Sequence, residues 1–109
     1  MDLDEKAVRL KIYLGESDRF EGRPAYQAVV ERMRKKGFWG ATVTRGIYGY
    51  GKRSRLHAAS ALRLSEDLPL IVEVVETREK VLALVSELSE MVKGGLITVE
   101  DVEVLRHIG

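Results

Sequence analysis

Apolar residues in this chain change their spacing in a fixed order, and that order leaves few folds open. From Ala7 to Leu14 they alternate, with Val8, Leu10, Ile12 and Leu14 on one side and Arg9, Lys11 and Tyr13 on the other. That is the period of a half-buried strand. A turn-rich polar connector runs from Gly15 to Gly22. Tyr26, Val29, Val30 and Met33 then recur at helical spacing, with Glu31, Arg32, Arg34 and Lys35 opposite. Pro24 suits the first turn of this helix, basic residues crowd its last turn, and Gly37 follows as the natural stop. Phe38 to Tyr50 predicts a second, longer strand, rich in β-branched and aromatic residues, with glycines marking bends. Leu70 to Glu76 predicts a third, opened by Pro69 where proline is tolerated. Thr77 caps a second helix with the stripe Val81, Leu84, Val85, Leu88, Met91 and Val92, which ends at Gly94-Gly95. A last strand-like segment runs from Ile97 to about His107, interrupted at Glu100-Asp101. Leu56 to Leu64 is apolar with several alanines and is compatible with a helix, a strand arm or a loop.

The order is β-α-β-β-α-β, the pattern of the ferredoxin-like α+β sandwich. It predicts a four-stranded antiparallel sheet with two helices on one face. A chain of 109 residues is too short for two independent cores, so residues 1–109 read as a single domain. The uncovered sheet face would show Tyr13, Thr42, Thr44, Ile71 and Val75 among a few charges. Such a mixture is too apolar for a fully wet surface and predicts packing against other subunits.

Several functional classes drop out on composition. Cysteine is absent, which removes disulfides, thiolate nucleophiles and thiolate metal sites together. The two histidines, His57 and His107, lie far apart, and no nucleophile–base pair stands at readable spacing, so the chain does not read as an enzyme. Glu66-Asp67 and Glu100-Asp101 read as turn-capping acids rather than hard-metal ligands, and no metal is expected. No apolar run approaches the ~18 residues of a membrane span, and the first residues lack the apolar core of a signal peptide. A cytoplasmic location without membrane insertion is expected. The net charge of +1 gives no global field that would demand nucleic acid.

Charge is patterned locally instead. Three glycines, Gly46, Gly49 and Gly51, are interleaved with Tyr48 and Tyr50 and followed by Lys52, Arg53 and Arg55. From Trp39 to Ser65 there is no Asp or Glu, although 32% of the chain is charged, so Arg45 and these cations have no acidic neighbour in sequence. Bare glycine N–H groups beside Arg and Lys suit a phosphate. The competing reading is glycine bulges in a bent strand and a solvated basic loop. Arg45 alternates with Val43 and Ile47, which read as buried. Its guanidinium then needs a partner, a subunit-interface carboxylate or a ligand phosphate, and the ligand is favoured slightly. Lys52, Arg53 and Arg55 serve as solvated charges or as contacts to phosphate or a partner. Ser17 and Asp18 serve as turn caps or as contacts to a ribose or base edge. Tyr48 and Tyr50 belong to core or interface, or stack a purine. A nucleic-acid module using this basic glycine loop, and a ligand-free structural or adaptor trimer, are the alternative functions.

A resemblance rests on these segments taken together. L-K-I-Y-L-G-E-S-D-R, R-G-I-Y-G-Y-G, R-L-S-E-D-L-P-L-I-V-E-V-V and L-I-T-V-E-D-V-E-V run over nearly the full length. The chain resembles the PII-like family catalogued as domain of unknown function 190, and more distantly the PII nitrogen-regulatory signalling proteins. The resemblance implies a homotrimer with sheets facing inward, nucleotide clefts between subunits, and a flexible loop that signals to an unidentified target protein. By position, Gly49 and Gly51 would stand at the base of that loop and Lys52 would begin it. Gly94 and Gly95 would replace the phosphate-holding turn, and Arg106 the basic residues near the PII C-terminus. Lys93-Gly94-Gly95-Leu96 is shorter than the PII turn and lacks its trailing lysine. No cofactor is required on this reading, and an adenine nucleotide with few phosphates, such as AMP, is the favoured ligand. The connector Glu16-Ser17-Asp18-Arg19 has no PII counterpart.

Overall fold

The computed structural model describes residues 6–50 and 67–107. Its main sheet consists of β1 (Ala7–Gly15), β4 (Thr42–Arg45), β5 (Pro69–Thr77) and β6 (Leu96–Val102), in the order β4-β5-β1-β6. Every neighbouring pair is antiparallel. Helices α1 (Ala25–Lys35) and α2 (Arg78–Met91) pack on one face. The expected α+β ferredoxin-like order is therefore present, with one addition: β2 (Arg19–Phe20) and β3 (Arg23–Pro24) form a small hairpin inside the polar connector. Glu21 and Gly22 both take positive φ, 49° and 79°, as a two-residue hairpin turn of the primed type requires. Arg23 ties this hairpin to α1 through Glu31 at 2.6 Å. The hydrogen bond from Arg23 holds the Glu31 carboxyl below the usual carboxylate range, so the tie persists at neutral pH and weakens as acid protonates Glu31.

Alternation places the core where the sequence predicted it. Val8, Leu10, Ile12 and Leu14 of β1 face inward with Leu70, Val72 and Val74 of β5. Ala25, Ala28, Val29 and Met33 of α1 meet them, as do Val81, Leu84, Leu88 and Met91 of α2. Thr77 caps α2, its hydroxyl accepting the Lys80 N–H at 3.4 Å. Replacing Thr77 by alanine is expected to cost about 1 kcal/mol. A chain of this size would melt roughly 5 °C lower by circular dichroism; an unchanged melting point would show that the cap contributes nothing.

Two strands differ from expectation. The second strand, expected over 38–50, holds only four residues. At its start the Phe38 N–H closes α1 on the Met33 carbonyl, and the Trp39 N–H goes to the Glu76 carboxylate. At its end the Gly46 N–H reaches the Pro69 carbonyl at 2.7 Å, and beyond it Ile47, Tyr48 and Tyr50 are exposed. The last strand runs unbroken through Glu100-Asp101 and stops at Val102. Glu100 is opposite Arg9 and bonds it at 3.0 Å, while Asp101 meets Arg78 at 2.6 Å. These acids have cross-strand partners, which sequence spacing does not reveal.

The uncovered face carries rows set by the strand register. Leu96, Tyr13, Ile71 and Thr44 lie side by side across all four strands. The next row is Thr98, Lys11, Glu73 and Thr42, and the one after it Glu100, Arg9 and Val75. Tyr13, Thr42, Thr44, Ile71 and Val75 thus share this face as expected.

Candidate functional site

One end of the sheet gathers most of the residues singled out in the sequence. The register sets Gly15 beside Pro69 and Arg45 beside Leu70, so β1 and β4 finish where β5 begins; β6 starts beside Tyr13. Ser17 and Asp18 leave β1 there, Gly46 and Gly49 leave β4, and Gly94-Gly95 lead into β6. Close packing holds these turns. A Cβ on Gly46 would lie 2.9 Å from the Pro69 ring, and one on Gly95 only 2.5 Å from the Tyr13 carbonyl oxygen.

Several polar groups here bond one another. Asp18 Oδ2 accepts the Gly15 N–H at 2.9 Å, and Asp67 Oδ1 accepts the Ser17 N–H at 3.2 Å. The Glu16 N–H donates to the Leu68 carbonyl at 2.9 Å. Asp18 thereby closes the turn that leaves β1, and Asp67 fastens the connector to the start of β5, the turn-capping work expected of them. Arg45 is paired with Glu16 in the same chain. Its side chain is 58% exposed, against 19% for Glu16.

This pair corrects two expectations. Val43 and Ile47 are not buried within the chain, at 37% and 95% exposure, so Arg45 is not a cation trapped among apolar residues. Its carboxylate partner comes from its own chain, 29 positions earlier, rather than from a subunit interface. Sequence reading noted the Glu16 connector and the Glu66-Asp67 pair without joining them to Arg45. The missing signals were the β1–β5 and β4–β5 registers, which set Gly15 opposite Pro69 and Arg45 opposite Leu70 and so bring Glu16 and Arg45 to one corner.

Arg106 lies elsewhere. It follows β6, whose last residue Val102 pairs with Ala7 at the opposite end of β1. Nine residues of β1 separate the ends by about 27 Å, at ~3.4 Å per residue. His107 stands edge-on to Trp39, ring centroids 3.7 Å apart, at that far end. Gly51, Lys52, Arg53 and Arg55 lie outside the described residues, as do His57 and the apolar stretch 56–64. Among the described residues, no group of three or more His, Asp or Glu is placed to hold a metal ion, and no helix is long and apolar enough to cross a membrane.

The sheet order, both helices on one face, and the long connection between β4 and β5 define a PII-like ferredoxin fold. The solved structure of CPII from Thiomonas intermedia K12, bound to ADP and bicarbonate, superimposes with a TM-score of 0.61. The alignment covers 93% of this chain and 90% of that one at 18% identity, a likeness of fold. The chain belongs to the DUF190 family, described as Uncharacterized ACR, which it matches over residues 7–104. A UPF0166 protein of Aquifex aeolicus is 40% identical over 100 residues, covering 92% of this chain and 94% of its own length. A UPF0166 protein of Methanocaldococcus jannaschii is 40% identical over 102 residues, with 93% and 94% covered.

Proposed function

We propose that this chain is a regulatory subunit of PII type. It binds an adenine nucleotide, AMP favoured, at clefts between the subunits of a homotrimer, and residues 51–65 report occupancy to a target protein. The observation that carries this reading is the division of the predicted site residues between the two ends of the sheet. Ser17, Asp18, Arg45, Gly46, Gly49, Gly94 and Gly95 collect at one end, while Arg106 stands at the other, so one chain cannot bring the set together. Two chains can, where the glycine end of one meets the C-terminal segment of its neighbour. The apolar row Leu96, Tyr13 and Ile71 on the uncovered face supports association of the sheets. ADP in the related CPII fold supports a nucleotide as the ligand class. Phosphate contacts to residues 51–65 would change the surface offered to a target.

The test is a thermal-shift panel of AMP, ADP and ATP with inorganic phosphate as control, alongside sedimentation to measure subunit number. An upward shift with an adenine nucleotide and none with phosphate is expected, because a ligand that binds only the folded state stabilises it. Arg45→Ala and Arg106→Ala are each expected to weaken binding at least tenfold without dispersing the trimer. A monomer in sedimentation, or a panel without any shift, would end the proposal. Salt-sensitive binding to single-stranded oligonucleotides would replace it with a nucleic-acid role for the exposed Tyr48 and Tyr50.

A further inference from the structure

The Arg45–Glu16 pair is not explained by stability. Arg45 is largely exposed, and exposed ion pairs contribute little. The second carboxylate oxygen, Glu16 Oε1, is buried and has no hydrogen-bond partner among the described residues, an arrangement that costs free energy. Among the described residues, carboxylates also crowd this cation. Where β1, β4 and β5 meet, the described residues bring Arg45 together with three carboxylates, Glu16, Asp18 and Asp67. Asp18 and Asp67 are occupied by backbone N–H groups, which leaves Glu16 as the acid that addresses Arg45. A guanidinium presents the same planar fork to a carboxylate and to a phosphate. Glu16 therefore occupies the position on Arg45 that a phosphate would take.

We infer that Glu16 is the specificity-determining residue of this corner, selecting a nucleoside monophosphate over di- and triphosphates. The inference rests on the nucleotide reading given above. A phosphate reaching Arg45 must displace the Glu16 carboxylate and then sit beside it. The repulsion grows with the charge the ligand carries, and it is felt strongly because one side of the carboxylate is desolvated. A monophosphate meets this penalty once; each further phosphate adds to it.

The experiment is calorimetric titration of AMP, ADP and ATP, without divalent metal and at low ionic strength, into the wild-type protein and Glu16→Gln. Glutamine keeps the shape and removes the charge, and Glu16→Ala serves as a second variant should the amide disturb the corner. The wild type is expected to prefer AMP over ATP. Glu16→Gln is expected to tighten ATP about tenfold and AMP about threefold or less, so that the preference narrows. An AMP:ATP ratio unchanged in both variants, with AMP still bound, overturns the role of Glu16 and leaves the nucleotide reading intact. Failure of every nucleotide to bind any of the three proteins overturns the nucleotide reading and the selectivity with it. The contest for Arg45 has its own readout in the rate at which phenylglyoxal modifies this residue, followed by peptide mass. Faster modification in Glu16→Gln, slowed there by inorganic pyrophosphate, supports the competition; equal rates in both proteins overturn it.

Discussion

Replacing Gly95 by alanine is expected to destabilise the protein by about 3 kcal/mol, the upper range for overpacking a tight site. For a domain of this size that is a fall of roughly 15 °C in melting temperature. The resemblance to PII proteins assigns Gly95 to a phosphate-holding turn, but the fold gives it a second reason to be glycine. Its added Cβ would stand 2.5 Å from the Tyr13 carbonyl oxygen and press on Val92. The obstacle on the Tyr13 side is backbone, held in the centre of the sheet, and cannot swing aside as a side chain would. Relief requires moving the turn away from β1, which would weaken the Leu96–Tyr13 pairing at the start of β6. Thermal denaturation with the ligand absent measures the effect. A fall under about 4 °C, near 1 kcal/mol, would mean that the turn relaxes freely and that its glycines serve a ligand alone.

Glu76→Ala should be equally damaging, by about 3 kcal/mol, for a different reason. Glu76 sits on the core side of β5 and is 1% exposed, yet it bears a carboxylate. Its two oxygens accept the Trp39 N–H at 3.1 Å and its own neighbour's Thr77 N–H at 3.0 Å, with Lys80 Nζ 3.8 Å away. Alanine leaves two donors unpaired and Lys80 without its carboxylate, and each buried orphan costs about 1–3 kcal/mol. Glu76→Gln keeps one accepting oxygen and is expected to lose about half as much. Because Trp39 is the only tryptophan, its fluorescence reports the connection directly. A red shift of emission in Glu76→Ala before global unfolding is the expected sign that the segment after α1 has come loose. Coincident transitions, at the wild-type midpoint, would show that Glu76 pins nothing.

What the sequence could and could not reveal divides along one physical line. Features written in neighbouring residues were legible: the alternation of β1, the stripes of both helices, the Thr77 cap and the composition of the uncovered sheet face. Features set by long-range pairing were not. Arg45 read as a cation in need of an interface carboxylate or a ligand phosphate because its local window held no acid, whereas its partner Glu16 arrives through the β1–β5 and β4–β5 registers. Glu100-Asp101 read as a break because two adjacent acids are poor strand formers, whereas Arg9 and Arg78 offset them from neighbouring elements. The second strand read too long because propensity counts β-branched and aromatic residues without asking which N–H groups have a strand to bond. The buried carboxylate of Glu76 was counted as an ordinary strand position, and only packing shows what it holds.

The length of β1 carries a consequence for how chains of this family can vary. Because the connector at one end and the pairing with Val102 at the other are both mounted on β1, the strand works as a ruler graduated in residues. Adding one residue would turn every following side chain to the opposite face and bring Lys11 or Arg9 into the core. Adding two would restore the faces but slide the two ends apart by about 7 Å, too far for the corner built by Asp18 and Asp67 to stay in register with its neighbour strands. In β1, length is held fixed by two gauges at once.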